Sequence, residues 1–122
     1  MNLQIIPGAF AVCRPDSLSG LPTQDDFWFL SRTDEEISLV CREESVPENC
    51  PKAETGWRML RVQGPLDFSL TGILARLSGI LAENEIPLFA VSTFDTDYLL
   101  VKSVHFARAV EALRAAGHSV TD

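Results

Sequence analysis

Cysteine and histidine are scarce in this chain, and neither is arranged for chemistry. Cys13, Cys41 and Cys50 show no C-x-x-C spacing. A disulfide framework or a structural zinc site calls for pairs at short spacing. The three read instead as two buried core thiols and one loop thiol. His105 and His118 have no ligand pattern around them; one reads as a surface residue on a helix and the other as lying just past its end. G-x-S-x-G, Walker, H-E-x-x-H and G-x-G-x-x-G motifs are all missing, so no catalytic residue, metal site or cofactor is expected. No apolar run approaches the ~18–20 residues of a membrane span. Met1 to Arg14 places no Lys or Arg ahead of a short apolar stretch, unlike a secretory leader. A cytoplasmic protein without membrane contact is expected. Basic residues are also few: 10 Lys and Arg against 17 Asp and Glu give a net charge of −7. An acidic chain repels phosphate backbones, which removes nucleic acid as an expected partner.

What is present describes a globular protein. Hydrophobic residues make up 46% and charged residues 22% of 122 residues, enough for one compact domain or two small repeats sharing a core. The acidic residues are unevenly placed: residues 25–54 carry nine against three basic ones, and residues 55–122 carry seven against six. The acidic half reads as a solvated face.

The chain also repeats itself. LSRTDEEISLV (30–40) aligns with VSTFDTDYLLV (91–101) at an offset of 61, matching Ser31 with Ser92, Asp34 with Asp95, Leu39 with Leu100 and Val40 with Val101. Each stretch reads as an apolar strand, an acidic turn and a second apolar strand, which is a β-hairpin. In the second repeat, Trp57–Val62 reads as a strand closed by Gly64-Pro65. Asp67 or Ser69 can cap a helix whose apolar stripe is Leu70, Ile73, Leu74, Leu77, Ile80 and Leu81. Strands at 88–93 and 98–102 follow. A second helix is capped by Ser103, carries Phe106, Ala109, Val110 and Leu113 on one face, and stops at Gly117. A short last strand at 119–121 completes βαββαβ, an α+β, ferredoxin-like plan. In the first repeat only twelve residues, with Pro15, Gly20 and Pro22 among them, separate Arg14 from Phe27. Its first helix is therefore expected to be missing or reduced to a turn. After Cys41 the chain is polar and allows at most one short helix near Glu43. The organisation expected is a reduced repeat over 1–54 and a complete one over 55–122.

Two motifs could hold a ligand. GPLDFSLTGIL (64–74) marks a helix start, where free backbone amides and the helix dipole suit a carboxylate. There Ser69 and Thr71 offer hydroxyls, and Gly72 allows close approach. The plainer alternative is that this segment only caps and packs the helix. STFDTDY (92–98) supplies the opposite sign through Asp95 and Asp97. Asp95 reads as a turn residue bonded to its own backbone. Asp97 opens a strand, where Asp is disfavoured, and asks for another explanation. Phe94 either packs over a ligand or anchors the turn. The turn is expected at the far end of the repeat from the helix start, so a repeat boundary or a dimer interface would have to bring the two motifs together. Open sheet edges favour a homodimer.

GWRMLRVQGPLDFSLTGILARLSGILAENEIPLFAVSTFDTDYLLV (56–101) resembles the ACT domain of the CASTOR-like group, and FAVCR and FWFLSRTDEEISLVC resemble that group's N-terminal repeat. The resemblance implies tandem ACT repeats and non-catalytic amino-acid sensing, with a free amino acid, a basic one preferred, held between ACT repeats. Carried over by motif, Thr71, Gly72 and Ile73 would hold the ligand's backbone groups, with Ser69 near them, Thr93 and Phe94 beside the rest, and Asp97 partnering a cation. The other readings are a ligand-free oligomerisation or protein-interaction module and, more distantly, a small acylphosphatase-like hydrolase.

Overall fold

The computed structural model describes residues 1–64 and 72–122. Its elements run β1 (Asn2–Arg14), β2 (Trp28–Arg32), β3 (Ile37–Arg42), a 3-10 turn (Glu43–Ser45), β4 (Lys52–Val62), α1 (Ile73–Glu83), β5 (Phe89–Ser92), β6 (Asp97–Lys102), α2 (Ser103–Ala115) and β7 (Ser119–Thr121). Two compact units divide the chain. One comprises Met1–Pro7 with Arg58–Asp122, the other Gly8–Trp57. Both β1 and β4 pass from one unit to the other.

In the first unit β4-α1-β5-β6-α2-β7 supplies the βαββαβ order. Going inward from the edge, the strands are β5, β6, β4 and then the start of β1, which also pairs in parallel with β7. The core forms where α1 and α2 cover one face of these strands. Leu77 and Leu81 of α1 and Phe106, Ala109, Val110 and Leu113 of α2 are buried against Leu60, Val62, Leu99 and Val101. This is the stripe that the 3.6-residue period predicts for both helices. At the end of α1, Asn84 is the C-cap. Gly117 ends α2 through a Schellman pair of bonds, Gly117 N to Arg114 O and His118 N to Leu113 O. Ser103 is the first helical residue of α2 rather than its cap; Lys102 holds the N-cap position in extended backbone and forms no side-chain cap bond.

In the second unit, no helix separates β1 from β2 among the described residues, and only the 3-10 turn follows β3. The first repeat thus lacks its full first helix, as the proline and glycine content requires. The β2–β3 hairpin repeats as β5–β6, but the spacing is 60 rather than 61. Ile37 and Asp97 open the returning strands, with the same burial order along both. Thr33 and Thr93 hold the same turn position, each amide donating to the carbonyl three residues on. The alignment at 61 matched side-chain identity, whereas the turn threonines set the register.

One ion pair braces this unit. Arg42 donates from Nε and Nη2 to the two carboxylate oxygens of Asp26, each at 2.9 Å, and its guanidinium lies 5.0 Å from the centre of the Phe10 ring. Gly8 makes room for it: at φ 98°, a Cβ there would meet Arg42 Nη1 at 2.5 Å. The Arg42 hydrogen bonds hold the Asp26 carboxyl below its ordinary range. A carboxyl lowered on folding contributes stability above its unfolded pKa and loses it as pH falls through the folded value. Asp26→Asn should therefore be less stable than the parent near neutral pH, and the difference should shrink as pH falls below the ordinary Asp range and through the lowered folded value. Urea denaturation of both proteins across pH checks this.

Candidate functional site

The threonines of the β5–β6 turn determine where that turn sits. Thr93 Oγ1 bonds to the backbone of Thr96, so Thr93, and not Asp95, carries the local turn bonding. Thr96 is buried, 7% exposed, and its Oγ1 donates to the carbonyl of Val62, the last residue of β4. This bond satisfies a strand-end acceptor and ties the turn to the C-terminal end of β4. From that same end the chain leads through residues 63–72 into α1. The expectation that the two motifs lie at opposite ends is therefore wrong. A strand returning antiparallel beside β4 must begin where β4 finishes, and this puts the turn at the end of the repeat from which the chain runs on to α1.

At the helix start, Gly72 is the N-cap of α1 in left-handed backbone, φ 78°, and supplies no capping side chain. A side chain at position 72 would be strained by that φ, although a Cβ there meets nothing within 4 Å. Ile73, the first helical residue, is half-buried and packs on the core. Ser69 and Thr71 lie outside the described residues, as does the capping expected of Asp67 or Ser69.

At the turn, Asp97 opens β6 and accepts a hydrogen bond at 2.6 Å from Ser92 Oγ, its cross-strand partner. That bond accounts for an Asp at a strand start. A carboxylate has about four acceptor sites, so others remain. Alternation along β6 puts Asp97 on the face of Leu99 and Val101, the face that the helices cover. Thr93 is exposed with its hydroxyl engaged by Thr96, and Phe94 is 81% exposed. The structure thus collects Gly72, Ile73, Thr93, Phe94 and Asp97 at one end of one unit.

Sequence reasoning did not group the residues on the other face. A cavity of about 350 Å³ is lined by Arg61, Gly64, Asp95, Thr96 and Tyr98. Arg61 donates to Gln4 Oε1 at 2.8 Å, and its guanidinium lies 5.9 Å from the centre of the Tyr98 ring. Strand alternation opposite Leu60 and Leu99 is the signal that could have grouped Arg61 with Tyr98. Arg58, on the helix face, stacks over Phe106 with its guanidinium carbon 4.4 Å from the ring centre. Among the described residues, no group of three or more His, Cys, Asp and Glu side chains could hold a metal ion, and no helix is long and apolar enough to cross a membrane.

Comparison with known proteins places this geometry. The ACT domain family model matches residues 52–115, and a model of an N-terminal domain matches residues 8–49. The human cytosolic arginine sensor for mTORC1, subunit 1, is 39% identical over 59 residues, 48% of this chain. The chain spans only 18% of the length of that relative. A crystal structure of an Agrobacterium tumefaciens protein superposes with a TM-score of 0.86 at 34% identity, covering 99% of this chain and 92% of the other. An aspartate kinase of Clostridium acetobutylicum shares the fold at a TM-score of 0.65 and 12% identity, over 93% of this chain and 34% of the kinase. With the helix-covered sheet and the matched hairpins, these likenesses make the chain an ACT domain protein of the CASTOR-like group.

Proposed function

We propose that the chain is a non-catalytic regulatory module that binds a free amino acid, with a basic one preferred. The observation that carries this reading is the junction of opposite polarities at one end of a repeat. The α1 start presents backbone amides and the positive end of a helix dipole, whereas Asp97 presents a carboxylate at the end of the repeat where β4 finishes. An amino acid carries a carboxylate and an ammonium a few ångströms apart, and a basic side chain adds a second cation. The site would use Ser69, Thr71, Gly72 and Ile73 at the helix start, with Thr93, Phe94 and Asp97 at the turn. Similarity to an arginine sensor supports the preference for a basic ligand.

The two-repeat division, 1–54 and 55–122, belongs to this reading, as does a homodimer in which the ACT repeats of two copies close over the ligand. Phe94, projecting at the turn, and the edge strands β2 and β5 are the surfaces available for that pairing. The same exposed Phe94 favours a second reading, a ligand-free oligomerisation or protein-interaction module.

Thermal unfolding against the twenty amino acids separates the two. A ligand that binds only the native state, present at ten times its Kd, adds about 1.4 kcal/mol and raises the midpoint by several degrees. Arginine or lysine should give the largest shift, and the protein should sediment as a dimer. No shift with any amino acid at millimolar concentration, in a protein that still sediments as a dimer, would replace the sensor with the interaction module.

A further inference from the structure

The three cysteines, distant in sequence, meet within the Gly8–Trp57 unit. Pairing of β1 with β3 sets Ala11 opposite Cys41 and Cys13 opposite Leu39. Cys13 and Cys41 therefore share a face as diagonal neighbours. Both are buried. Cys50, only half-buried, packs on the same cluster from the segment that precedes β4. Cys13 Sγ donates to Leu39 O at 3.4 Å and Cys50 Sγ to Lys52 O at 3.3 Å.

The geometry distinguishes the possible pairs. Diagonal residues on paired strands lie about 7–8 Å apart, beyond the reach of a disulfide unless a strand moves. Cys50 lies outside the strands, and its neighbour Asn49 is tied to the segment just after Cys13 and the end of β1, its carbonyl accepting from the Asp16 amide at 3.0 Å and its Nδ2 donating to Ser17 Oγ at 2.9 Å. Burial, followed by the Cys50 thiol, pushes the Cys13 thiol far above its ordinary range, and burial raises Cys41 to about 11. The two strand thiols are thus poor nucleophiles towards an external reagent, and Cys50 is the sulfur that solvent reaches.

We propose that Cys13 and Cys50 are a redox-modification site that closes to a reversible disulfide by exchange with a low-molecular-weight disulfide. In the first step the Cys50 thiolate attacks one sulfur of the reagent. A mixed disulfide forms, and one reduced small thiol leaves. In the second step Cys13 loses its proton and attacks the Cys50 sulfur. The Cys13–Cys50 bond forms, the bond to the small thiol breaks, and a second reduced thiol is released. Two protein thiols are oxidised while one reagent disulfide is reduced. The bridge ties the segment after the 3-10 turn to β1, and a reducing cytoplasm would reopen it.

The test is incubation of the full, reduced chain with oxidised glutathione, followed by acid quench, alkylation and intact-mass and peptide analysis. The expected product is lighter by two hydrogens, takes up one alkyl group and maps to Cys13–Cys50. Cys41→Ala should form the same bridge, and Cys50→Ser should form none. Because Cys13 must ionise, closure from the mixed disulfide should accelerate about tenfold per pH unit in the neutral range. A product that stops at a glutathione adduct on Cys50, a bridge that maps to Cys13–Cys41, or a chain that stays fully reduced would each overturn the assignment.

Discussion

Truncating Leu77 to alanine is expected to lower the unfolding free energy by about 3–4 kcal/mol, within the span measured for buried leucines in other cores. Leu77 is fully buried, on the face of α1 that meets Leu60, Val62, Leu99 and Val101. Removing its side chain forfeits the transfer free energy of the lost carbons and leaves a cavity. The surrounding helices and sheet can close that cavity only partly. Leu74, one turn earlier and half-buried, should cost about half as much on truncation because water already reaches part of it. Equilibrium urea denaturation of both variants tests the packing. A loss below about 1 kcal/mol for Leu77→Ala would mean that α1 does not seat on the sheet as described.

The second large effect concerns ligand affinity. Asp97→Ala should weaken binding of a basic amino acid by roughly tenfold to a hundredfold, the 1.5–3 kcal/mol associated with one charge-assisted hydrogen bond. The same change frees Ser92 Oγ from its cross-strand acceptor, so a stability cost of about 1 kcal/mol or less is expected alongside. Asp97→Asn keeps an acceptor for Ser92 and removes only the charge. It should spare stability and still lose most of the affinity for arginine. Calorimetry with arginine on the parent and both variants separates the roles. Equal affinity for all three would remove Asp97 from the site.

Much of this fold was legible in the sequence because its signals are local. The apolar stripes of α1 and α2 recur every three to four residues. Gly117 stops a helix by its own backbone freedom. Pro15, Gly20 and Pro22 deny the first repeat a helix. β4 was read too short, as Trp57–Val62, because its first residues are exposed and show no buried face to alternate. Residues that belong to no apolar pattern can still be strand when a neighbouring ladder holds them. The one-residue error in the repeat spacing arose because Ser31 and Ser92 look alike, whereas the Thr33 and Thr93 hydroxyls, which fix the turns, do not announce themselves. The three cysteines could not be grouped from spacing, since strand pairing alone brings Cys13 beside Cys41.

For the site, the residue types were legible and their arrangement was not. The Asp97 carboxylate and the Gly72 helix start stood out as chemically apt. Their placement at a common end followed only from the Thr96 to Val62 bond. The physical argument for needing a second copy to assemble the site therefore falls away, and the dimer rests on the exposed Phe94 and the edge strands. Arg61 and Tyr98 were not grouped with Asp95, which was read only as a turn residue, because the three come from two strands and a turn that only the sheet brings together.

The most direct test of the central claim is a titration of the isotopically labelled chain with arginine, followed by amide NMR shifts. The account predicts a saturable response concentrated at Gly72, Ile73, Thr93, Phe94 and Asp97, with the Asp26 and Arg42 amides of the other unit unchanged. Saturable shifts confined to other residues, or no shifts at millimolar arginine or lysine, would contradict it.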